Sequence, residues 1–272
     1  MKYRETIDFI YSSLKYKTGD MARLKLRREA EIAIVTLDHP PMNVMDATLL
    51  EELAGLFEGL AADETVRGAV IAAEGRAFSA GLDLKVVPNL DRLGRRRLID
   101  ALNDCFGTLY AWPKPLIAAV GGHAIAGGLV LALCADRRIA ADVNLQASLA
   151  EVKVGVTYPV AALEVARAEL TPAAARRLIL LGDSLDVGEA VSLGVFDARV
   201  PLDQLLSRAT EQAGRDAALP PKAFATIKRE LRAPQLVRIA EARSGKSEPR
   251  LADWLGEETR RAAAAVLRGA AV

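Results

Sequence analysis

The run Pro115-Leu116-Ile117-Ala118-Ala119-Val120-Gly121-Gly122-His123-Ala124-Ile125-Ala126-Gly127-Gly128, continued by Leu129 to Ala135, carries no formal charge anywhere along its length. A stretch this long is enough to consider a membrane span. Glycines at 121, 122, 127 and 128 and a histidine in the middle argue against it. A strand over Leu116–Val120, a glycine turn, and a buried helix from about Gly127 to Ala135 account for the pattern better. The same alternation extends in both directions. Upstream, Ile32, Ile34, Val35 and Leu37 read as a strand that His39-Pro40-Pro41 ends. Leucines at 49, 50, 53, 56 and 60 form a helical stripe behind Asp46 as N-cap. Val66–Ala73 is a second strand, followed by the glycine-bearing loop Glu74–Leu84 and a helix over roughly 92–111. Downstream come a short strand at Arg138–Ala141, helices at Pro159–Leu170 and Pro172–Leu181 that carry proline at their starts, and a short helix at Asp186–Leu193. One more strand follows at Val195–Val200, and only helices beyond Pro201. Strand and helix in alternation indicate an α/β core with crossover units.

Composition bounds what such a core can do. The chain has 272 residues, 51% of them hydrophobic and 26% charged, ordinary for a globular protein. With 36 basic against 35 acidic residues, no excess field attracts nucleic acid or an anionic membrane. Cys105 and Cys134 are the only cysteines, and His39 and His123 the only histidines. That excludes a disulfide scaffold, a cysteine zinc cluster and a three-histidine metal site, and it fits a reducing, cytoplasmic setting. Residues 1–20 differ from the rest. They hold Tyr3, Tyr11 and Tyr16 of the five tyrosines, and lysine outnumbers arginine there, whereas arginine dominates from Met21 onward. Met21 reads as a plausible start and 1–20 as a leader, tag or extension, not a signal peptide, because Arg4, Glu5 and Asp8 interrupt any apolar run.

Two glycine-bearing segments follow apolar strands, Gly75–Lys85 and Gly121–Gly128. Glycines there let backbone N–H groups approach a ligand. A dinucleotide site fails on spacing, since Gly122-x-Ala-x-x-Gly127 lies mid-chain with no acid placed to hold a ribose. The Gly-x-Ser-x-Gly elbow of a hydrolase is missing, which leaves Ser79 with His123 as base as the remaining nucleophilic reading.

Taken together, the segments resemble the crotonase (enoyl-CoA hydratase/isomerase) superfamily. The resemblance rests on Ile32–Asn43, the run Ala77-Phe78-Ser79-Ala80-Gly81-Leu82-Asp83-Leu84-Lys85, the turn Gly122–Gly128 and the block Glu151–Gly155. Leu181-Gly182-Asp183 with Ala190–Phe196 extends it, Phe196 being a variant of the family pattern. It implies an α/β fold of the ClpP/crotonase-like type, a spiral of ββα units. A core with the acyl-CoA site would span 21–200, and a helical region over 201–272 would assemble homotrimers or dimers of trimers. It implies chemistry on an acyl-CoA thioester, with coenzyme A as part of the substrate, no separate cofactor and no metal. The backbone N–H groups of Leu82 and Gly127 would stabilise the thioester oxyanion, where fixed donors lower the barrier most.

Family hydratases carry two glutamates. The position after the second glycine turn holds Val130 here, while the other is retained as Glu151. Adding water calls for two groups, one to activate the water and one to manage the proton, whereas moving a double bond needs a single base. The pattern therefore resembles Δ3,Δ2-enoyl-CoA isomerases with Glu151 as the proton shuttle. Val130 would also desolvate its surroundings and raise the pKa of Glu151. Around this centre, Ala80, Asp83, Leu84, Lys85 and the C-terminal Lys228 are candidates for the coenzyme A portion, and Val130 and Tyr158 for the acyl pocket. Asp83 also suits a turn, and Arg92, Arg95, Arg96 and Arg97 suit either phosphates or a solvated helix face. Asp136, Arg138, His39, His123 and the cysteines read as structural. Another crotonase reaction and a catalytically silent acyl-CoA-binding protein are the alternatives.

Overall fold

A computed structural model describes residues 23–83, 85–245, 256, 257, 259, 261 and 262. The expectation for residues 1–20 falls outside them. The chain enters as a hairpin, β1 (Leu24–Glu29) against β2 (Ile32–Leu37), turning at Ala30 with φ 50°. β1 was not foreseen. Its outward positions are Lys25 and Arg27, charges that suit an exposed sheet edge and disguise the strand in sequence. Helix α1 (Ala47–Ala62) follows, and the Asp46 carboxylate accepts the Leu49 N–H at 2.8 Å as its N-cap. Next come β3 (Gly68–Ala73), β4 (Ala77–Ser79) and α2 (Arg92–Tyr110), which Asp91 caps through the Gly94 N–H. Then follow β5 (Leu116–Val120), β6 (His123–Ile125) and α3 (Gly127–Leu133). After them are β7 (Arg137–Ala141), β8 (Gln146–Ser148), a single 3-10 turn at Ala150–Val154 and α4 (Val160–Glu169).

This is a repeat with a physical logic. Three times in succession the chain lays one strand in a large sheet, a second in a small sheet, and then returns through helical structure. The large sheet runs β1-β2-β3-β5-β7-β10, parallel from β2 onward, with β10 at Ala198–Val200. The small sheet runs β4-β6-β8-β9, parallel up to the antiparallel β9 at Ser184–Asp186. Helices α5 (Pro172–Ala175) and α6 (Val187–Ser192) flank β9. The strand read over Val195–Val200 shortens to β10, because Val195 and Phe196 are buried in the connection leading to it.

One face of the large sheet packs Val35, Leu37, Ile71 and Val120 against Leu49, Leu53, Phe57 and Phe106 of α1 and α2. On the other face Ile34, Val70, Ile117 and Ile139 meet Leu205, Ala209, Ala213 and Ala217 of α7 (Leu202–Ala217). Alanine every fourth residue on α7 lets that helix lie close to the strands. Two further helices, α8 (Pro221–Leu231) and α9 (Ala233–Arg243), complete the described chain up to Arg243. Among the described residues no helix is long and apolar enough to cross a membrane. The uncharged run 115–135 is β5, β6 and α3, as the glycines indicated.

Candidate active site

The small sheet brings the expected residues together. β4, β6 and β8 are parallel neighbours, with Ala77 opposite His123 and Ile125 opposite Ser148. Leu82 lies three residues past the end of β4, Gly127 two past β6, and Glu151 three past β8. All three therefore leave the carboxyl ends of adjacent parallel strands, where α/β proteins place their ligand crevices.

The two glycine segments close on one another. A Cβ at Gly122 would stand 2.2 Å from the Arg76 carbonyl oxygen, and one at Gly128 2.2 Å from that of Ser79. Both distances are far inside contact range, so only glycine permits the approach. Gly81 adopts φ 73°, and its missing Cβ would sit 3.1 Å from the Gly127 nitrogen. The Gly81 carbonyl accepts the Met45 N–H at 2.7 Å, and Ala126, at φ 52°, donates its N–H to the Ser148 carbonyl at 2.7 Å. Neither the Leu82 nor the Gly127 N–H has an acceptor among the described residues. Two main-chain donors without acceptors among the described residues, on loops that touch at Gly81 and Gly127, can hold a developing negative oxygen.

Glu151 is the second residue of the 3-10 turn Ala150–Val154 and is 9% exposed. Its Oε2 is buried without a hydrogen-bond partner. Burial pushes the carboxyl from 4.5 up to about 7, partly opposed by a backbone hydrogen bond and by the Tyr158 hydroxyl. That hydroxyl, with a single proton to give, also has the Leu149 carbonyl within reach as an acceptor at 3.2 Å. A carboxyl that ionises near neutrality and has one uncommitted oxygen can both take and return a proton. Val130 is wholly buried within α3.

The family model for enoyl-CoA hydratase/isomerase matches residues 27–251. The chain belongs to that family. The 2,3-dehydroadipyl-CoA hydratase of Escherichia coli K12 is 29% identical over 224 residues, covering 80% of this chain and 85% of that protein. Among solved structures, human mitochondrial delta3-delta2-enoyl-CoA isomerase superposes with a TM-score of 0.84 at 25% identity, covering 91% of this chain and 97% of that one. A probable enoyl-CoA hydratase of Mycobacterium tuberculosis H37Rv gives 0.77 at 29% identity, covering 82% and 94%. The crotonase-type α/β fold with its helical C-terminal region is thus this chain's fold.

Other sequence expectations for this enoyl-CoA hydratase/isomerase family member divide. Ala80 is anchored by its N–H on the Met42 carbonyl at 3.0 Å. Asp83 serves the turn, accepting the Lys85 N–H at 2.8 Å, while the Lys85 side chain is exposed. Leu84 lies outside the described residues. Lys228 does not join the site. Its ammonium, 7% exposed, pairs with Asp136 at 2.7 Å and donates to the Lys114 carbonyl. Asp136 in turn accepts the Leu116 N–H, at the amino end of β5, so Lys228 sits at the opposite end of that strand from the glycine turn. A buried ammonium needs that counter-charge. The arginine cluster is engaged along its helix face, Arg97 with Glu51 and Arg96 with Asp100. Ser79 is fully buried, its hydroxyl donates to the Asn43 carbonyl at 2.6 Å, and the His123 ring accepts the Gln146 N–H at 3.1 Å. Ser79 and His123 therefore form no catalytic pair. A cavity of about 660 Å³ lies between β1, the carboxyl ends of β3 and β5, and the start of α7, and none of Leu82, Gly127 and Glu151 lines it.

Proposed function

We propose that the protein isomerises 3-enoyl-CoA to 2-enoyl-CoA, with Glu151 as the only proton carrier. The observation that carries this is a buried carboxyl with one unpartnered oxygen. Burial raises Glu151 to about 7, and the position where family hydratases hold a second glutamate is the fully buried Val130. In this reading the thioester oxygen lies between the Leu82 and Gly127 N–H groups. The ionised Glu151 removes the α-proton, and the electron pair delocalises through the double bond onto that oxygen as a dienolate. Protonated Glu151 then delivers the same proton to the γ-carbon, the oxygen's charge collapses back, and the double bond comes to rest between the α- and β-carbons. Atoms and charge balance without water or a second acid.

Purified protein is assayed on 3-enoyl-CoA and on 2-enoyl-CoA. Faster hydration of the second than isomerisation of the first defeats the assignment and favours the hydratase reading that several relatives' names carry. The reading extends to a homotrimer or a dimer of trimers. It is supported by the apolar outer face of α8, where Ile227 is 63% and Leu231 78% exposed. Sedimentation equilibrium reports the mass directly.

A further inference from the structure

Asn43, between β2 and α1, is 2% exposed and adopts φ 50°, a conformation that asparagine tolerates better than most side chains. Its side chain is fully engaged. Nδ2 donates to the Glu74 and Ala77 carbonyls at 2.9 and 2.8 Å, and Oδ1 accepts the His39 N–H at 2.7 Å. The Asn43 main-chain carbonyl takes the Ser79 hydroxyl at 2.6 Å, and that hydroxyl oxygen accepts the Gly81 N–H at 3.1 Å. Two residues beyond Asn43, the Met45 N–H holds the Gly81 carbonyl at 2.7 Å. The segment 43–45 therefore grips the residue before Leu82 by both its N–H and its C=O.

The geometry of a trans peptide turns this grip into an aim. C=O and N–H of one peptide group point in opposite directions. With the Gly81 carbonyl fixed on Met45, the Leu82 N–H is directed away from the 43–45 segment. Ser79 also supports the second donor, because the first turn of α3 seats Gly128 against the Ser79 carbonyl so closely that a Cβ would stand 2.2 Å away. The β4–β6 ladder is made by main chain and does not require a hydroxyl at Ser79.

We infer that Asn43 and Ser79 are positioning residues, whose hydrogen-bond chain through Gly81 sets the plane of the Gly81–Leu82 peptide and hence the aim of one oxyanion donor. This rests on the proposed function. The test uses the full chain with Ser79→Ala, and with Ser79→Cys, which keeps a weak donor and acceptor of similar size. Three quantities are read: kcat and KM on 3-enoyl-CoA, solvent deuterium exchange at the α-carbon of a saturated acyl-CoA, and Tm. Complete loss of an oxyanion donor costs 10²–10³ in kcat in other enzymes, so a misaimed one predicts a fall of about 10- to 100-fold. Ser79→Ala should show that fall in kcat and in exchange, with KM within about threefold, and Ser79→Cys should recover part of it. Wild-type kcat and exchange in Ser79→Ala, or a raised KM at unchanged kcat, overturns the inference. If Ser79→Ala does not fold, Ser79→Cys decides alone. A kcat loss at native Tm supports the relay, and an unchanged kcat refutes it. A wild-type protein that neither isomerises nor exchanges any acyl-CoA overturns the isomerase reading, and this inference with it. An active wild type matched by Ser79→Ala overturns the relay only.

Discussion

Glu151→Gln keeps the shape of the side chain and removes its charge, so it separates the energetic consequence of burying that carboxyl from its chemistry. Burial raises the carboxyl from 4.5 to about 7 in the folded chain. Between those values the folded state holds a proton that the unfolded state has released. Stability therefore falls as pH climbs from about 4.5 and levels off above about 7. At 1.36 kcal/mol per pKa unit the cost is about 1 kcal/mol at pH 5 and about 3 kcal/mol at pH 8.5. Glutamine carries none of this. Its amide adds an offset that does not vary with pH and cancels in the comparison. The variant's advantage over wild type should thus widen by about 2 to 3 kcal/mol between the two pH values. For a chain of this size that is roughly 5–10 °C in Tm. Thermal or urea denaturation of both proteins at pH 5 and pH 8.5 measures the gap. Isomerase activity should meanwhile fall by about 10²–10⁴. A gap that stays constant across pH would refute the reasoning, because a carboxyl without a desolvation cost is a solvated one. Glu151 would then also lose its claim as the base.

Tyr158→Phe removes a hydroxyl that favours ionised Glu151, so the rise of kcat/KM with pH, expected near 7, should move to higher pH, and pH–rate profiles of both proteins test it. Gly128→Ala forces a Cβ to 2.2 Å from the Ser79 carbonyl and should cost more than the ~1–3 kcal/mol of ordinary overpacking, whereas Gly214→Ala on α7, with nothing within 4 Å, should stabilise by about 0.5–1 kcal/mol; Tm values of the two report the contrast. Asp136→Ala leaves Lys228 and Arg232, 7% and 5% exposed, without their shared partner and should cost about 3–5 kcal/mol by urea denaturation, with the site residues untouched.

How much of this molecule is legible in its sequence depends on the range of the forces involved. The Asp46 cap, the leucine stripe of α1 and the limits of β5 were legible because cap and periodicity are local, decided within a turn or two of chain. β4, β6 and β8 were not, since each has three residues and exists only through ladders such as Ala124 with Ala147, partners far apart in sequence. The same holds for Lys228. The sequence shows a lysine in a family-like place, but not that Asp136, 92 residues upstream, claims it. Glu151 was found through family resemblance, and its unpartnered oxygen and raised pKa needed the fold. Asn43 was missed, although an asparagine just after Pro40-Pro41-Met42 was a usable sign of a left-handed turn position.

The division of labour at this site explains how one fold can change reaction without losing its framework. In the proposed reading oxygen binding belongs to main-chain N–H groups at Leu82 and Gly127, and what the sequence must supply for them is absence, glycine at 81, 122 and 128 where any Cβ would strike neighbouring atoms. In the same reading proton handling belongs to the Glu151 side chain. At Val130 an aliphatic group lies fully buried in α3, where an unpaired carboxylate would be costly without water or a partner. Valine at such a place spares the helix interior a buried charge. The glycines have no such latitude, since a Cβ at Gly122 or Gly128 would stand 2.2 Å from a carbonyl oxygen. Across such proteins the glycine framework should report the thioester chemistry they share, and the buried acids which proton transfers each performs.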